Sequence, residues 1–511
     1  MQPIFRICFV TCTMLLLTFT SNAQMPEAKN KILIYNVKVI DGTGGPVKAN
    51  AVKIQGNKIV EIGNFTPTPG ETQIDGKGLV LAPGFIDTHS HHFGDMKSSP
   101  SALPAVSQGI TTIVIGQDGD GYTMDKLSAM MNKNAVAVNV ANYTGHSTLR
   151  EMVMGENELH RNSTQVEVEK MKTILSTEMQ KGSFGLSTGL EYESAFYSNK
   201  EEVIQLAKVL TAFNGRYMSH VRSEDVHLNE AIDELIEIGK VAKIPVQISH
   251  IKIAKKSDWG TASLLLAKLE KNRSEGIVIT ADVYPYTFWN STLRVLFPDK
   301  KFTSLASAQF AVDQLFDANE SVLVKFAANP SYKGKTIAQI AKERNETPAK
   351  TLIYLVSIAA NFKANNPNYE GSVEAIAGKS MSEGDVIDFL KWPYANICSD
   401  GRGGGHPRGY GAFTRFIGRY VRDQKLMSLE TAIHKMTGLS AAHLGIKNRG
   451  TIAVGNYADL VLFNPNTVMD NADIKNSQLI STGIEMVWVN GELIYNQQKV
   501  TGKLPGVLIK R

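Results

Sequence analysis

A series of short apolar runs in this chain each ends close to a polar residue able to bind a metal or move a proton. His89 and His91 follow the first such run, Asp118 the second, His146 the third, His220 with Arg222 the fifth, His250 with Lys252 the sixth, Tyr284 the seventh and Asp400 the eighth. Imidazoles and carboxylates form an N/O donor set, for which zinc is the first expectation and other divalent metals the next. A catalytic zinc keeps one position open for water, lowers that water's pKa towards neutrality and polarises a carbonyl oxygen. The implied chemistry is hydrolysis, with a nearby carboxylate to move the proton, and Asp400 is placed for that role.

The residues carry unequal weight. In the segment PGFIDTHSHH, residues 83–92, strand alternation points His89 and His91 the same way with Ser90 between them, so one metal can engage both. His92 points to the other face and is left out. His220 (YMSHVRSE) and His250 (QISHIK) end consecutive strand-like runs, and as a pair they read as ligands. Asp118 in GQDGDG and Asp400 in CSDG sit where an aspartate also serves a tight turn, so a ligand or catalytic role competes there with a local one. His146 in TGHSTLR reads as an orienting group beside the substrate, and Tyr192, which closes GLSTGLEY, joins it among the substrate-binding candidates. Arg222, Lys252 and Tyr284 are suited to hold a substrate carboxylate, Arg by its fork and Lys as a point charge. The competing use of these cations is a salt bridge to Glu224 or another neighbour.

These residues become neighbours if the runs are strands of one parallel sheet. Eight runs, at 79–87, 110–116, 135–141, 183–189, 215–220, 244–250, 277–284 and 395–399, alternate with helical stretches such as 200–213, 228–239 and 261–273. The expected fold is an α/β (β/α)8 barrel over residues 83–448, whose βα loops gather catalytic groups at one face. The gap from about 287 to 394 exceeds one helix and predicts an insertion. Short apolar runs split by glycine turns at 31–82 and 450–500, with a hairpin signal at Asn490-Gly491, predict a small β-sandwich made from both chain ends, 24–82 and 449–511.

The N-terminus reads as a secretory signal over residues 1–23: Arg6, an apolar stretch at 7–19, then Ser-Asn-Ala before Gln24. Export to the periplasm or medium is the expectation, with no membrane span left after cleavage. Cys8 and Cys12 fall in that signal, which leaves Cys398 alone and excludes an intrachain disulfide in the mature chain. With 54 Lys+Arg against 49 Asp+Glu and no long charge run, nothing favours nucleic acid; the expected partner is a small molecule.

The segments PGFIDTHSHH, GITTIVIG, GHSTLR, GLSTGLEY, YMSHVRSE, PVQISHIK, DVYPY, SDG with HPRGYGAFTRFIGRYVR, and RGTIAVGNYADLVLFNP resemble the N-acyl-D-amino-acid deacylase (D-aminoacylase) family of the amidohydrolase superfamily across nearly the whole mature chain. The resemblance implies a zinc-dependent hydrolase that converts an N-acyl-D-amino acid to a carboxylate and a free D-amino acid. By it His220 and His250 hold the tight zinc, His89 and His91 a second, weaker site, and Asp400 is the catalytic aspartate. Lys252, Arg222 and Tyr284 fall where the family gathers carboxylate contacts. The chain departs from the family at one ligand: the usual cysteine of a Gly-Asn-Cys-Gly turn is replaced by Asp118 in GQDG, a harder donor than thiolate. Two other readings stand beside this one. A cyclic amide or D-residue dipeptide as substrate would be favoured by a bridging lysine after the fourth strand, which GLSTGLEY lacks; a non-catalytic binding protein on the same scaffold is the third.

Overall fold

Gly84 divides the first apolar run. In the computed structural model, which describes residues 1–2, 31–67, 69 and 71–511, Val80–Pro83 and Phe85–Asp87 are separate strands in different sheets. A Cβ at Gly84 would come within 2.2 Å of Thr111, so the close approach at which the chain passes from one sheet to the other requires glycine. The single strand expected over 79–87 is corrected to two. The signal segment, with its apolar stretch and cleavage site, lies outside the described residues. Among those described, no helix is long and apolar enough to cross a membrane.

Phe85–Asp87 begins a ring of parallel strands. It pairs with Ile110–Ile115, which pairs with Asn139–Asn142. The chain runs on into Thr144–Gly145, which pairs with Gly185–Gly189; Arg216–His220, Val246–Ile248, Ile279–Val283 and Ala395–Ile397 follow in parallel order. The last strand returns to the first through a parallel bridge between Ser90 and Gly401, with Asp400 N–H donating to His89 O and His91 N–H to Gly401 O, each at 2.9 Å. The ring accords with an eight-stranded (β/α) barrel. Its strands are buried on both faces because helices cover the outside. Leu228–Ala242 is typical of that cover: Ala231, Ile232, Leu235, Ile238 and Ala242 recur at helical spacing on the buried face. Gln165–Gln180 starts on a capping box between Thr164 and Glu167.

Two further sheets join the chain ends. Lys31–Tyr35, Ala51–Gln55, Lys58–Gly63 and Thr72–Asp75 form one; Val80–Pro83 enters the other by antiparallel pairing with Leu460–Phe463, beside Ile484–Val489 and Glu492–Asn496. Ile34, Val52, Ile54, Leu81, Leu460 and Trp488 fill the core they share, and each such buried aliphatic contributes about 1.5–3 kcal/mol. The final residues leave these sheets. Gly506 N–H donates to Val136 O, Ile509 N–H to Val140 O and Arg511 N–H to Gly182 O, so 506–511 pack on the ring, which corrects their placement within the sandwich segment.

The insertion is an independent layer with its own core. Phe288–Ser291, Val322–Phe326 and Glu374–Lys379 make an antiparallel sheet, backed by the helices Ile337–Glu343 and Pro348–Asn365 around Leu293, Phe297, Phe316, Leu323, Leu352 and Ile376. Glu383–Lys391, inside the expected 287–394 gap, packs instead on the ring beside Ala262–Ser274 and the last strand.

Candidate metal centre and substrate cavities

The turn after the second ring strand, Gly116-Gln117-Asp118-Gly119, is fixed by its backbone. Asp118 has φ 58° between Gly116 and Gly119, each at φ 81°. A Cβ at Gly116 would meet Tyr143 O at 2.0 Å, and one at Gly119 would meet Gly189 N at 2.8 Å. The turn therefore lies against the neighbouring strands, and Asp118 takes a left-handed conformation that, after glycine, short polar residues tolerate best. His250 (φ 35°) and Asp400 (φ 46°) share that region. Such backbone costs about 1–3 kcal/mol per residue and persists where the surroundings impose it. Here His250 N–H donates to Asp282 Oδ1 at 2.6 Å, and Asp400 N–H is tied to the first strand.

Asp118 stands between two pairs of imidazoles. Its Oδ2 lies 3.4 Å from Nε2 of both His89 and His91; its Oδ1 lies 3.4 Å from His250 Nε2 and 4.0 Å from His220 Nδ1. His220 Nδ1 and His250 Nε2 are 3.1 Å apart. Asp400 Oδ1 faces the first pair, 3.2 Å from His91 Nε2 and 3.6 Å from His89 Nε2. Three donor groups result: His89, His91, Asp118 and Asp400; Asp118, His220 and His250; and Glu191, His220 and Glu224, with Asp118 common to the first two. Both ring nitrogens of His89 and Oδ1 of Asp118 are buried without a hydrogen-bond partner among the described residues. Polar atoms in that condition are what a bound cation satisfies, so the residues present fit a metal.

The electrostatics agree. Burial lowers the basicity of His89 and His91, but Asp118 and Asp400 outweigh it and leave both raised. Burial would raise Asp400; Arg408 and the histidines hold it well below the usual carboxylate range. Asp118 is likewise held low against its burial, by His89 and its other imidazole neighbours.

Behind the histidines stand two carboxylates, Glu224, expected only as a salt-bridge partner for the cations, and Glu191, which the sequence does not mark. His220 Nε2 meets Glu191 Oε2 at 2.8 Å, and His250 Nδ1 meets Glu224 Oε1 at 2.9 Å. Carboxylates so placed fix ring orientation and strengthen the donor nitrogens. Arg408 was also missed. It is 3 % exposed, sets Nη1 2.8 Å from Asp400 Oδ2 and lies with Cζ 4.6 Å from the Tyr284 ring centre. The sequence signals were faint: Glu224 four residues after His220, Glu191 just before Tyr192, and Arg408 eight residues after Asp400 in HPRG.

Two cavities open over this floor. The first, about 50 Å³, is bounded by His220, His250, Lys252, Tyr284, and an apolar wall of Ala254, Trp289, Val295, Leu296 and Leu315. The second, about 340 Å³, has His91 and Asp118 at its base. Tyr192, Asn290, Ser291, Asp400 and Arg408 line both. Lys252 Nζ is shared between Glu224 and His250 Nδ1, 2.7 Å from the latter. Tyr284 Oη has no hydrogen-bond partner among the described residues.

Two expected substrate contacts are corrected. The Arg222 fork is taken by Glu234, with Nε and Nη2 each donating at 2.8 Å, and it lines neither cavity. The alternation that would set Arg222 beside His220 no longer applies, because Arg222 lies beyond the end of the strand Arg216–His220, where the chain has already turned towards the helix carrying Glu234. His146 opens the helix His146–Met154, fully buried, with Nε2 2.8 Å from Glu202, which also binds Arg150. It orients that cluster and lines neither of the two cavities.

Fold and cluster together define a metal-dependent amide hydrolase. The Amidohydrolase family matches residues 72–316 and 397–495. The N-acyl-D-aspartate deacylase of Alcaligenes xylosoxydans xylosoxydans is 31% identical over 96% of this chain and 97% of its own length. A solved D-aminoacylase structure, described for its binuclear metal centre with one-metal activation and second-metal attenuation, is 30% identical with a TM-score of 0.82 over 94% of this chain and 99% of that one. The N-acyl-D-glutamate deacylase from Bordetella bronchiseptica, complexed with zinc and a phosphonate mimic of the tetrahedral intermediate, is 27% identical with a TM-score of 0.83 over 95% and 100%. The chain belongs to the amidohydrolase family, in its N-acyl-D-amino-acid deacylase (D-aminoacylase) branch.

Proposed function

We propose that this chain hydrolyses N-acyl-D-amino acids to a carboxylic acid and a free D-amino acid, with zinc as its metal. The observation that carries the reading is the cluster in which Asp118 joins two histidine pairs beside a cavity holding Arg408, Lys252 and Tyr284. His220, His250 and Asp118 would hold the tighter ion, and His89, His91 and Asp118 a weaker second one. When bound, the metal supplies a Lewis acid that polarises the amide carbonyl and acidifies water.

Asp400 accepts the proton from the attacking water and delivers it to the amide nitrogen. The water oxygen joins the acyl carbon, the C–N bond breaks and the amine leaves with that proton. Arg408 is the strongest candidate for the α-carboxylate, because its buried Nε donor has no acceptor among the described residues. Lys252 and Tyr284 stand on the same side. The cyclic-amide reading finds no bridging lysine on the fourth ring strand, Gly185–Gly189; Asp118 occupies the bridging place.

The test is a hydrolysis screen of N-acetyl amino acids of both hands, with metal analysis of the same sample. Turnover confined to D-substrates in protein containing zinc is expected; preference for L-substrates or for cyclic amides rejects the assignment. We propose as well that the chain is exported, on the strength of Arg6, the apolar stretch and Ser-Asn-Ala before Gln24. The N-terminal mass of the purified native protein should then correspond to cleavage near Gln24, and intact Met1 on cytoplasmic protein would reject export.

A further inference from the structure

The two cavities differ in chemistry as well as size. Lys252 and Tyr284, suited to a carboxylate, border the smaller one together with its apolar wall, and Arg408 stands where the two cavities meet. If the amino-acid half of the substrate sits there, its amide lies over the histidines and the acyl half extends into the larger cavity above His91 and Asp118. That cavity offers far more room than an acetyl group fills. Its wall carries the hydroxyls of Ser147, Ser194, Ser291, Thr292 and Ser372 and the charged groups of Asp120, Glu374 and Arg402, and among the described residues that line it Ala375 alone is aliphatic.

Two acceptors on that wall are also unspent. Gln117 donates through Nε2 to Thr88 O at 2.7 Å, while its Oε1 is buried with no partner among the described residues. Asn290 Oδ1 is in the same state. A hydrocarbon chain here would lie against a wall more polar than apolar, the reverse of the smaller cavity, and would leave both oxygens unsatisfied, whereas an N–H or O–H on the acyl group would satisfy them.

We infer that this enzyme selects substrates whose acyl group is polar and hydrogen-bonding, such as an aminoacyl or hydroxyacyl group, over those with an alkyl chain. The inference rests on the proposed deacylase activity and adds the class of acyl group to it. It is tested by three substrates sharing the D-amino acid that the N-acetyl screen ranks first: N-acetyl as reference, N-acetylglycyl, and N-pentanoyl, which matches acetylglycyl in chain length. With zinc-loaded enzyme, kcat/KM for the acetylglycyl substrate should exceed that for the pentanoyl one by at least about tenfold, since sites built to hydrogen-bond a substrate reject analogues lacking the group. Asn290→Leu should narrow the ratio to within about threefold. Hydrolysis of the N-acetyl reference with equal or better turnover of the pentanoyl substrate, or an unchanged ratio in Asn290→Leu, overturns the acyl assignment and leaves the deacylase reading standing. Failure of the N-acetyl reference itself overturns the deacylase reading and this inference with it.

Discussion

The ring and the insertion meet around the same cavities and bring different kinds of residue to them. From the ring come His89, His91, Asp118, His220, His250 and Asp400, each at or just past the end of a strand and several on backbone in the left-handed region. From the insertion come Trp289, Asn290, Ser291, Val295, Leu296 and Ser372, on a small sheet and its flanking turns. The ring residues are coupled: a Cβ added at Gly116 would press on Asn142 and Tyr143 and one at Gly119 on Thr188 and Gly189, and Asp118 stands among four histidines. The insertion residues mostly act singly, as surface that a substrate does or does not match. Chemistry therefore belongs to the part whose geometry is imposed from all sides, and selectivity to the part that can vary one side chain at a time.

The largest expected effect follows at Asp118, where that coupling is densest. Asp118→Ala should lower metal content and kcat together, by more than the roughly 10–100-fold that loss of an outer hydrogen-bond partner costs in metal sites. Metal analysis after dialysis, alongside kinetics, checks it; full metal occupancy with near-normal kcat would reduce Asp118 to a turn residue. Asp118→Cys should bind zinc more tightly and resist chelators better than the parent, because thiolate is the softer donor. Asp400→Asn comes next. It keeps the shape of the site, so metal should remain while kcat falls about 10²–10⁴-fold, the usual contribution of a general acid–base group. A variant with kcat intact would separate Asp400 from proton transfer.

Legibility in the sequence follows the same division. Period-2 alternation in PGFIDTHSHH, and apolar runs ending in His220, His250 and Asp400, carried the ring and its donor set because a barrel delivers strand ends to one place whatever the loops do. The insertion was legible as a small subdomain but not in its architecture, since its sheet and helices belong to no repeated unit. Cations behaved differently from imidazoles. Arg222 sits two residues past His220 and reads as a substrate contact, but a long flexible side chain is claimed by whichever carboxylate lies nearest, and no periodicity in the sequence brings Glu234 to it. Arg408 comes from a turn after the last strand, where spacing carries no directional information. His146 was misplaced for a related reason: it begins a helix, so its ring points back along that helix and meets Glu202 rather than the cavity.

Comparing those two arginines gives the smallest effects and the sharpest contrast. Arg408→Lys retains the charge beside Asp400 but loses the planar fork and its free Nε donor. KM for an N-acetyl-D-amino acid should rise about tenfold or more, while the corresponding amino-acid amide, a poor substrate throughout, should change little. Arg222→Met should leave both kinetic constants within about twofold of the parent, because its guanidinium spends its donors on Glu234 and Phe196 O outside the cavities. Its cost should fall on stability. The Arg222 side chain is 26% exposed and that of Glu234 10%, intermediate between a surface pair and a buried one, so a loss on the order of 1–3 kcal/mol is expected, discounted for the water that reaches the arginine. Denaturant unfolding of the metal-loaded protein measures it. If Arg222→Met instead raises KM for free acids and spares their amides, the guanidinium reaches the substrate during turnover, and the division between ring chemistry and its outer salt bridges has been drawn one residue too far in.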